Sequence, residues 1–441
     1  MTISNLPIIL PMLTSKIDNA LESIDAALHS GSADTRAHFG DLQLYSHFQQ
    51  IFSIAHKRTV GYEGLVRAVD GEKRLRSPLE IFAAAKDEAQ IVLLDRLCRA
   101  VHLHNFSRHS VDSCWLFLNV NPRVVVDGKH YGSYFREILN EVNISPHRIV
   151  VEILETAIVD KGLLRESVNY YRELGCLIAI DDFGAGDSNF DRIWQLRPDI
   201  VKFDRSVIAQ ACANPDIRSV VPAMVSMMHE AGSMVVMEGI ETEQQAMIAM
   251  EADAEFVQGY YFARPSPTPS MSASFNSGCQ ELFIKFNRYR MIDRASYHSG
   301  ITPYTTSLSK AAALMKSGQT VEHACMSFLE LPHAERCYLL DESGMQIGRN
   351  VDKMQLHLEA DERYQPLNDA TGANWSRRHY FQRAIAQLDK VNVTRPYLSI
   401  TTASQCVTAS IAFKVNGNLQ ILCGDISWNN DIRSADRTIE T

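Results

Sequence analysis

The sequence predicts an α/β protein in two parts, a long run of alternating strands and helices followed by a smaller α+β segment. Three observations carry this. Short apolar runs alternate with amphipathic stretches from about residue 42 to residue 257. Most of those runs end on a carboxylate, an amide or a lysine. The last third contains further apolar runs, two of them joined by Asn416-Gly417, a strong hairpin turn signal. With 441 residues, two domains is the starting expectation, and 46% hydrophobic with 22% charged residues is the composition of an ordinary globular protein.

At the start, Ile17, Leu21, Ile24 and Leu28 are spaced as on an amphipathic helix, and Gly31 and Gly40 bracket a polar stretch that reads as a linker. Residues 1–41 are therefore expected to be an N-terminal helix and linker. From 42 to 54 and 59 to 66 come two strands joined by the turn His56-Lys57-Arg58. Helices are expected over 78–89 and 91–106, and a strand over 115–120. The pattern then repeats as helix 131–142, strand 149–153, helix 163–174, strand 177–180 and helix 190–196. It continues as strand 200–203, helix 217–231, strand 234–237, helix 242–250 and strand 256–257. Repeated β-α units of this length form a closed parallel barrel of the TIM type or an open doubly wound sheet.

The polar residues near the strand ends are Glu63, Asn119, Glu152, Asp181 with Asp182, Lys202, Glu238 and Gln258. Barrel enzymes draw their functional side chains from the C-terminal ends of several strands. One such residue is an ordinary solvated strand end, but a ring of oxygen ligands with one lysine points to a metal site. The stretch Leu177–Phe190, LIAIDDFGAGDSNF, is its centre: a buried strand ends on two adjacent carboxylates and opens into a glycine loop. These oxygen donors exceed what one Mg2+ uses, and suit two ions about 3.5–4 Å apart, the arrangement that hydrolyses phosphate esters. Asp181 would bridge, and Lys202 would orient water and offset charge. Arg67, four residues beyond Glu63, is either a phosphate contact or a surface arginine.

These residues resemble a known family. Glu63-Gly64-Leu65 with Arg67 is similar to the EAL signature of cyclic di-GMP phosphodiesterases in its EGL form, and Phe48–Ser53 resembles the segment before it. Asn119 in LNVNP, Glu152-Ile153-Leu154-Glu155, Asp181–Ser188, Lys202-Phe203-Asp204, Glu238-Gly239-Ile240-Glu241 and Gln258-Gly259-Tyr260 resemble its later motifs, in order, over 42–268. The resemblance implies a modified TIM (β/α)8 barrel that hydrolyses cyclic di-GMP to linear pGpG with two Mg2+ or Mn2+ ions. It implies that Glu63, Asn119, Glu152 and Asp181 hold one ion and that Asp181 and Asp182 serve the other. Lys202 would contact the attacking water, and Glu238 is the candidate general base. Glu155 would anchor the 183–188 loop, Glu241 and Gln258 would complete the site, and Arg67 would touch substrate. The chain departs from the pattern at Leu154, where threonine is usual, and at Asp187, where an aromatic is frequent. Every ligand position is kept, which favours turnover over the alternative, a catalytically silent cyclic di-GMP receptor. Family barrels often pair, so a homodimer is expected.

After Arg264 a Ser/Pro-rich break leads into a linker helix, 269–300, with Leu282, Phe283, Phe286 and Tyr289 near one face. Residues 308–331 read as helical. Strands follow at 335–341 and 346–350, and later at 396–402, 406–414 and 419–426. Helix, hairpin, helix and meander is the order of a PAS-like or Cache-like domain, here 301–441. Trp375–Phe381, Pro396–Ser399 and Asp425 resemble Cache domains, which implies a sensor for a small ligand contacted by Arg378, Tyr380, Tyr397 and Asp425. The alternative is that the tyrosines are core aromatics.

The formal charge of −9 offers no basic surface for nucleic acid. Nine scattered cysteines without zinc spacing suit reduced thiols. No run is long and apolar enough to span a bilayer, and Leu6–Leu13, broken by Pro7 and Pro11, makes a poor signal peptide. A cytoplasmic location is expected.

Overall fold

The computed structural model describes residues 24–109, 111, 113–121, 134–154, 161–186, 190–269, 277–353, 369–399 and 404–428. Glu155 and Asp187, singled out above, lie outside the described residues, as does 12–23 of the expected first helix. The chain divides into two units, Met1–Phe286 and Asn287–Thr441.

The first unit is built on one sheet. Its barrel strands are β3 (Leu42–Ser53), β4 (Arg58–Val69), β6 (Trp115–Asn119), β7 (Ile149–Leu154), β8 (Leu177–Phe183), β9 (Ile200–Phe203), β10 (Met234–Met237) and β11 (Phe256–Val257). From β4 through β6 to β11, successive strands pair in parallel. β3 closes the barrel by pairing antiparallel with both β4 and β11. The reversed strand follows from the short connection after Ser53, where Lys57 takes a left-handed φ of 55°. A turn this short can make only a hairpin, since a parallel partner needs a long crossover.

Helices wrap the outside, and several begin on a residue that caps them. Ser77 and Glu80 form a capping box on α1 (Pro78–Ala83), and Asp87 caps α2 (Glu88–Ser107). After α3 (Tyr134–Glu141), α4 (Lys161–Leu174) and α5 (Phe190–Leu196) comes α6 (Arg205–Ala213), capped by Asp204, which the sequence pattern does not predict. Asn214 then caps α7 (Pro215–Glu230), and Thr242 caps α8 (Glu243–Glu251).

The start of the chain differs from expectation. Leu28 opens a strand, β1 (Leu28–Ser30), and the expected linker holds β2 (Thr35–Phe39), which pairs antiparallel with β3. Ala37 is fully buried while Arg36 and His38 face solvent, so its polar look is strand alternation. β5 (Leu75–Arg76) extends the sheet beside β4.

The helix after the Ser/Pro-rich break, α9 (Ser277–Lys316), runs on through Pro303, where the sequence reading separates two helices. Leu282 and Phe286 belong to the core of the first unit; Ile301, Tyr304 and Leu308 belong to the second. Within the second unit, α10 (Val321–Leu329) precedes an antiparallel sheet. Its path runs β13 (Gln346–Asp352), β12 (Ala334–Asp341), β17 (Asn418–Ser427), β16 (Gln405–Val415) and β14 (Asn392–Val393), with β15 (Tyr397–Leu398) also on β16. Of the strand expected over 396–402, residues 396–399 are described, and β15 takes up two of them. Both faces of this sheet are buried, and alternate residues separate cleanly. Cys337, Leu339 and Ile411 pack toward α9 and α10; Tyr338, Leu340 and Ala412 pack toward α11 (His379–Ala386). Among the described residues, no helix is long and apolar enough to cross a membrane.

Candidate active site

The site is a consequence of strand alternation. An apolar layer fills the barrel with one side chain per strand: Ile51, Val60, Phe117, Val150, Ala179, Ile200, Val236 and Phe256. Side chains alternate along a strand, so the inward residue two positions on lies one layer nearer the mouth. On β6 through β11 those residues are Asn119, Glu152, Asp181, Lys202, Glu238 and Gln258. On β4, Gly61 faces Phe117, since a Cβ there would lie 2.7 Å from the ring, and two residues on is Glu63. The eighth strand runs backwards, and its register partner to Glu63 is Gln49. Sequence reading missed Gln49 because in a reversed strand the residue at the mouth sits mid-strand rather than at the end.

Lys202 is the centre. Its Nζ lies 2.5 Å from Glu152 Oε1, 2.6 Å from Glu238 Oε1, 3.2 Å from Asp181 Oδ1 and 3.4 Å from Glu63 Oε2. Asn119 donates to Glu63 Oε1 at 2.8 Å, and Gln258 donates to Glu63 Oε2 at 2.7 Å. Both amides thus turn their nitrogens to Glu63, and their oxygens stay out of these bonds. Asp181 and Asp182 are neighbours, and in a regular strand their side chains would point to opposite faces. Here the β8–β9 register shifts between Ile180 and Phe183, and Asp182 takes a left-handed φ of 57°. The bulge brings both carboxylates to one place. Ligand oxygens of Asp181, Asp182 and Glu238 lie within 4.8 Å of one another.

Five carboxylates around one ammonium leave a large excess of negative charge. Burial alone would lower the Lys202 pKa, but Asp181, Glu152, Glu238 and Glu63 together hold it well above its ordinary value. Burial and then Glu63 push Glu152 far up. Burial raises Asp181, raises Glu238 to about 8, and together with Asp181 raises Asp182 to about 6. Glu63 alone is lowered: burial opposes ionisation, but Lys202, Gln258 and Asn119 outweigh it. Glu152 Oε2 and Gln258 Oε1 are buried and take no hydrogen bond. Buried, orphaned, hard oxygen donors in excess of the available positive charge fit divalent cations such as Mg2+, Mn2+ or Ca2+.

The backbone is shaped around these side chains. A Cβ on Gly64 would lie 2.9 Å from Cγ of His102, a buried ring that bonds Ser46 Oγ at 2.8 Å. Here the signature must be EGL, because α2 leaves no room for the alanine methyl. Gly259 is tighter still, with a Cβ there 2.1 Å from the Ile240 carbonyl oxygen.

Two expected residues stand apart from the ring. Arg67 is half-buried on the inward face of β4, roughly 13 Å along the strand from Glu63, and donates to the Val66 carbonyl at 2.9 Å. Glu241 is exposed, and its backbone N–H bonds Gln245 beside the start of α8. Glu155 lies outside the described residues.

A family model described as EAL domain matches residues 34–265, over half of the chain. The chain belongs to the EAL-domain family. It is 27% identical over 351 residues to the uncharacterized EAL-domain containing protein YkuI of Bacillus subtilis, covering 78% of this chain and 84% of that one. It is 30% identical over 244 residues to the cyclic di-GMP phosphodiesterase NbdA of Pseudomonas aeruginosa, covering 52% of this chain but only 30% of that protein. The crystal structure of Bacillus subtilis YkuI, described as a complex with substrate c-di-GMP and calcium, matches at a TM-score of 0.73. That match has 21% identity and covers 94% of this chain and 99% of the other, so the fold is shared through both units.

The second unit holds a small cavity of about 20 Å³, room for a water molecule, on the α11 side of its sheet. Arg378, Tyr380, Tyr397 and Asp425 all line it, with Arg336, Tyr338 and Trp375. Asp425 accepts from Thr408 at 2.7 Å and Tyr338 at 3.3 Å. The Arg378 guanidinium lies 5.7 Å from the centre of the Tyr397 ring.

Proposed function

We propose that the EAL barrel is a metal-dependent phosphodiesterase that opens cyclic di-GMP to linear pGpG. The observation that carries this is the ring itself: four carboxylates close on Lys202, Asp182 joins them through the β8 bulge, and two amides turn toward Glu63. Glu63, Asn119, Glu152 and Asp181 would hold one divalent ion, and Asp181 with Asp182 a second. Bound there, such ions supply an activated water and neutralise charge developing on a phosphoryl group. Lys202, pinned between Glu152 and Glu238, stays charged and is placed to hold the attacking water. Glu238 would be the candidate general base. Gln258 fixes Glu63. Arg67, higher on β4, would meet a substrate phosphate. The relatives named as cyclic di-GMP phosphodiesterases support the substrate assignment.

The second unit is proposed to regulate this activity by sensing a small ligand at the cavity lined by Arg378, Tyr380, Tyr397 and Asp425.

The test is turnover of cyclic di-GMP by the purified full chain with Mg2+ and then Mn2+, following pGpG by chromatography. Metal-dependent accumulation of pGpG supports the reading. Tight nucleotide binding without product, in either metal, would instead make the chain a receptor.

A further inference from the structure

We propose that Asp95, on α2 and outside the ring, is a positioning residue for the metal-binding end of β6. This rests on the reading of Asn119 as a metal ligand. Asn119 is the exposed member of the ring and the last residue of its strand. Beyond it, Val120 still bonds the Glu152 carbonyl at 3.0 Å, and then the chain leaves the sheet. The next backbone N–H, that of Asn121, donates to Asp95 Oδ1 at 2.8 Å. Asn119 is therefore fixed twice, by Glu63 at its side chain and by Asp95 two residues on.

Asp95 is itself held. Its Oδ2 lies 2.6 Å from Arg99 Nη2, one turn along α2. Arg99 donates to the Tyr171 hydroxyl of α4 at 3.2 Å, and its guanidinium lies 5.5 Å from the centre of the Phe135 ring on α3. Asp95 is 2% exposed and Arg99 3%. A buried ion pair is weak evidence for stability, because apolar side chains of the same volume often serve as well. What an apolar pair cannot do is accept the Asn121 N–H in a fixed direction. A carboxylate oriented by a clamped guanidinium does so strongly. A neutral amide is a weaker ligand than the carboxylates around it, so the position of Asn119 depends most on its support. Removing such outer partners typically weakens metal binding about 10- to 100-fold.

The experiment is a double-mutant cycle read by Mn2+ binding to the full chain, using electron paramagnetic resonance of free Mn2+, without reference to turnover. Asp95→Ala should weaken Mn2+ binding about tenfold or more. In an Asn119→Ala background the same change should move affinity less than about twofold, because the ligand it positions is gone. Equal weakening in both backgrounds would mean general loosening and overturn the proposal, as would unchanged affinity in folded Asp95→Ala. Should that variant not fold, Arg99→Gln, which leaves the carboxylate in place but unheld, goes through the same cycle with the same criteria. A wild type that binds Mn2+ without hydrolysing cyclic di-GMP would remove the phosphodiesterase reading and leave the cycle valid. A wild type that binds no Mn2+ would overturn both.

Discussion

At the barrel mouth, five carboxylates meet one lysine, and buried oxygens of Glu152 and Gln258 are left without hydrogen bonds. On the sheet of the second unit, Asp425 is as deeply buried, but Thr408 and Tyr338 both donate to it and Arg336 offsets its charge. Both places bury acids on a β framework. One leaves more carboxylates than its single lysine can balance, while the other largely satisfies itself around a cavity of about 20 Å³. Burial of charge alone therefore does not mark a catalytic centre. What distinguishes the barrel mouth is an uncompensated set of hard oxygen donors, whose desolvation is offset by protons or by a bound cation.

The largest expected effect falls on the demand itself. Glu63→Ala removes the acceptor for Asn119, Gln258 and Lys202 together. Turnover of cyclic di-GMP should fall on the order of a thousandfold, ~4 kcal/mol of barrier, while circular dichroism stays that of the wild type. Near-normal turnover by a folded variant would dismiss the ring as the catalytic centre.

Next in size is the charge balance. Lys202→Met leaves the carboxylates with no cation, and breaking a buried pair in this way costs about 3–5 kcal/mol. Metal-free Lys202→Met should melt well below the wild type, and saturating Mn2+ should recover part of the difference, since a ligand that binds only the folded state stabilises it. If metal-free stability is unchanged, Lys202 does not balance the ring's charge.

A smaller effect tests the scaffold behind Glu63. Gly64→Ala would press a methyl against the near end of the His102 side chain, where there is no flexible tip to move aside. Such overpacking costs about 1–3 kcal/mol. The melting midpoint should drop, and a second change, His102→Ala, should restore most of it. No loss in the single variant would show that α2 gives way, and that the EGL form is not set by His102.

How much of this was legible follows the same division. The ring could be read from sequence because each parallel strand announces itself as an apolar run with its functional residue at the end. Asn119, Glu152, Lys202, Glu238 and Gln258 are all of that kind. Gln49 was not legible, because its strand runs the other way. That Asp182 joins Asp181 depends on a bulge, which no alternation pattern shows. β2 passed for a linker because Arg36 and His38 alternate with only a few apolar residues. The sequence reading leaves a gap between helices over 301–307, around Pro303, that α9 does not have. Just before Pro303, Thr302 donates its hydroxyl to the His298 carbonyl, and the side chains of Ile301 and Tyr304 stay packed on either side. In the second unit, Arg378, Tyr380, Tyr397 and Asp425 could be picked out as polar and aromatic residues. Arg336, Tyr338 and Gln346 could not, because the cavity is assembled from several separate elements.

The last effect, confined to high pH, is the one that most sharpens the contrast between the two regions, because it concerns a buried acid in the second unit that is only partly satisfied. Glu335 is 6% exposed, and its Oε2 accepts no hydrogen bond. Burial, with Asp425 nearby, raises its pKa from 4.5 to about 7. A carboxyl whose folded pKa lies above its unfolded one binds more protons when folded. Stability is therefore lost as pH rises from about 4.5 to about 7, and the loss is complete above that. The full shift corresponds to about 3 kcal/mol. Glu335→Gln has no charge to bury, so it should melt higher than the wild type at pH 8 and about equally at pH 4.5, by calorimetry on the full chain. A gain of the same size at both pH values would place the effect in packing rather than charge. A gain confined to high pH would show that Glu335 is an undercompensated acid standing outside any ring like the barrel's. A lone acid of this kind lowers stability without forming a set of donors that a metal ion could use.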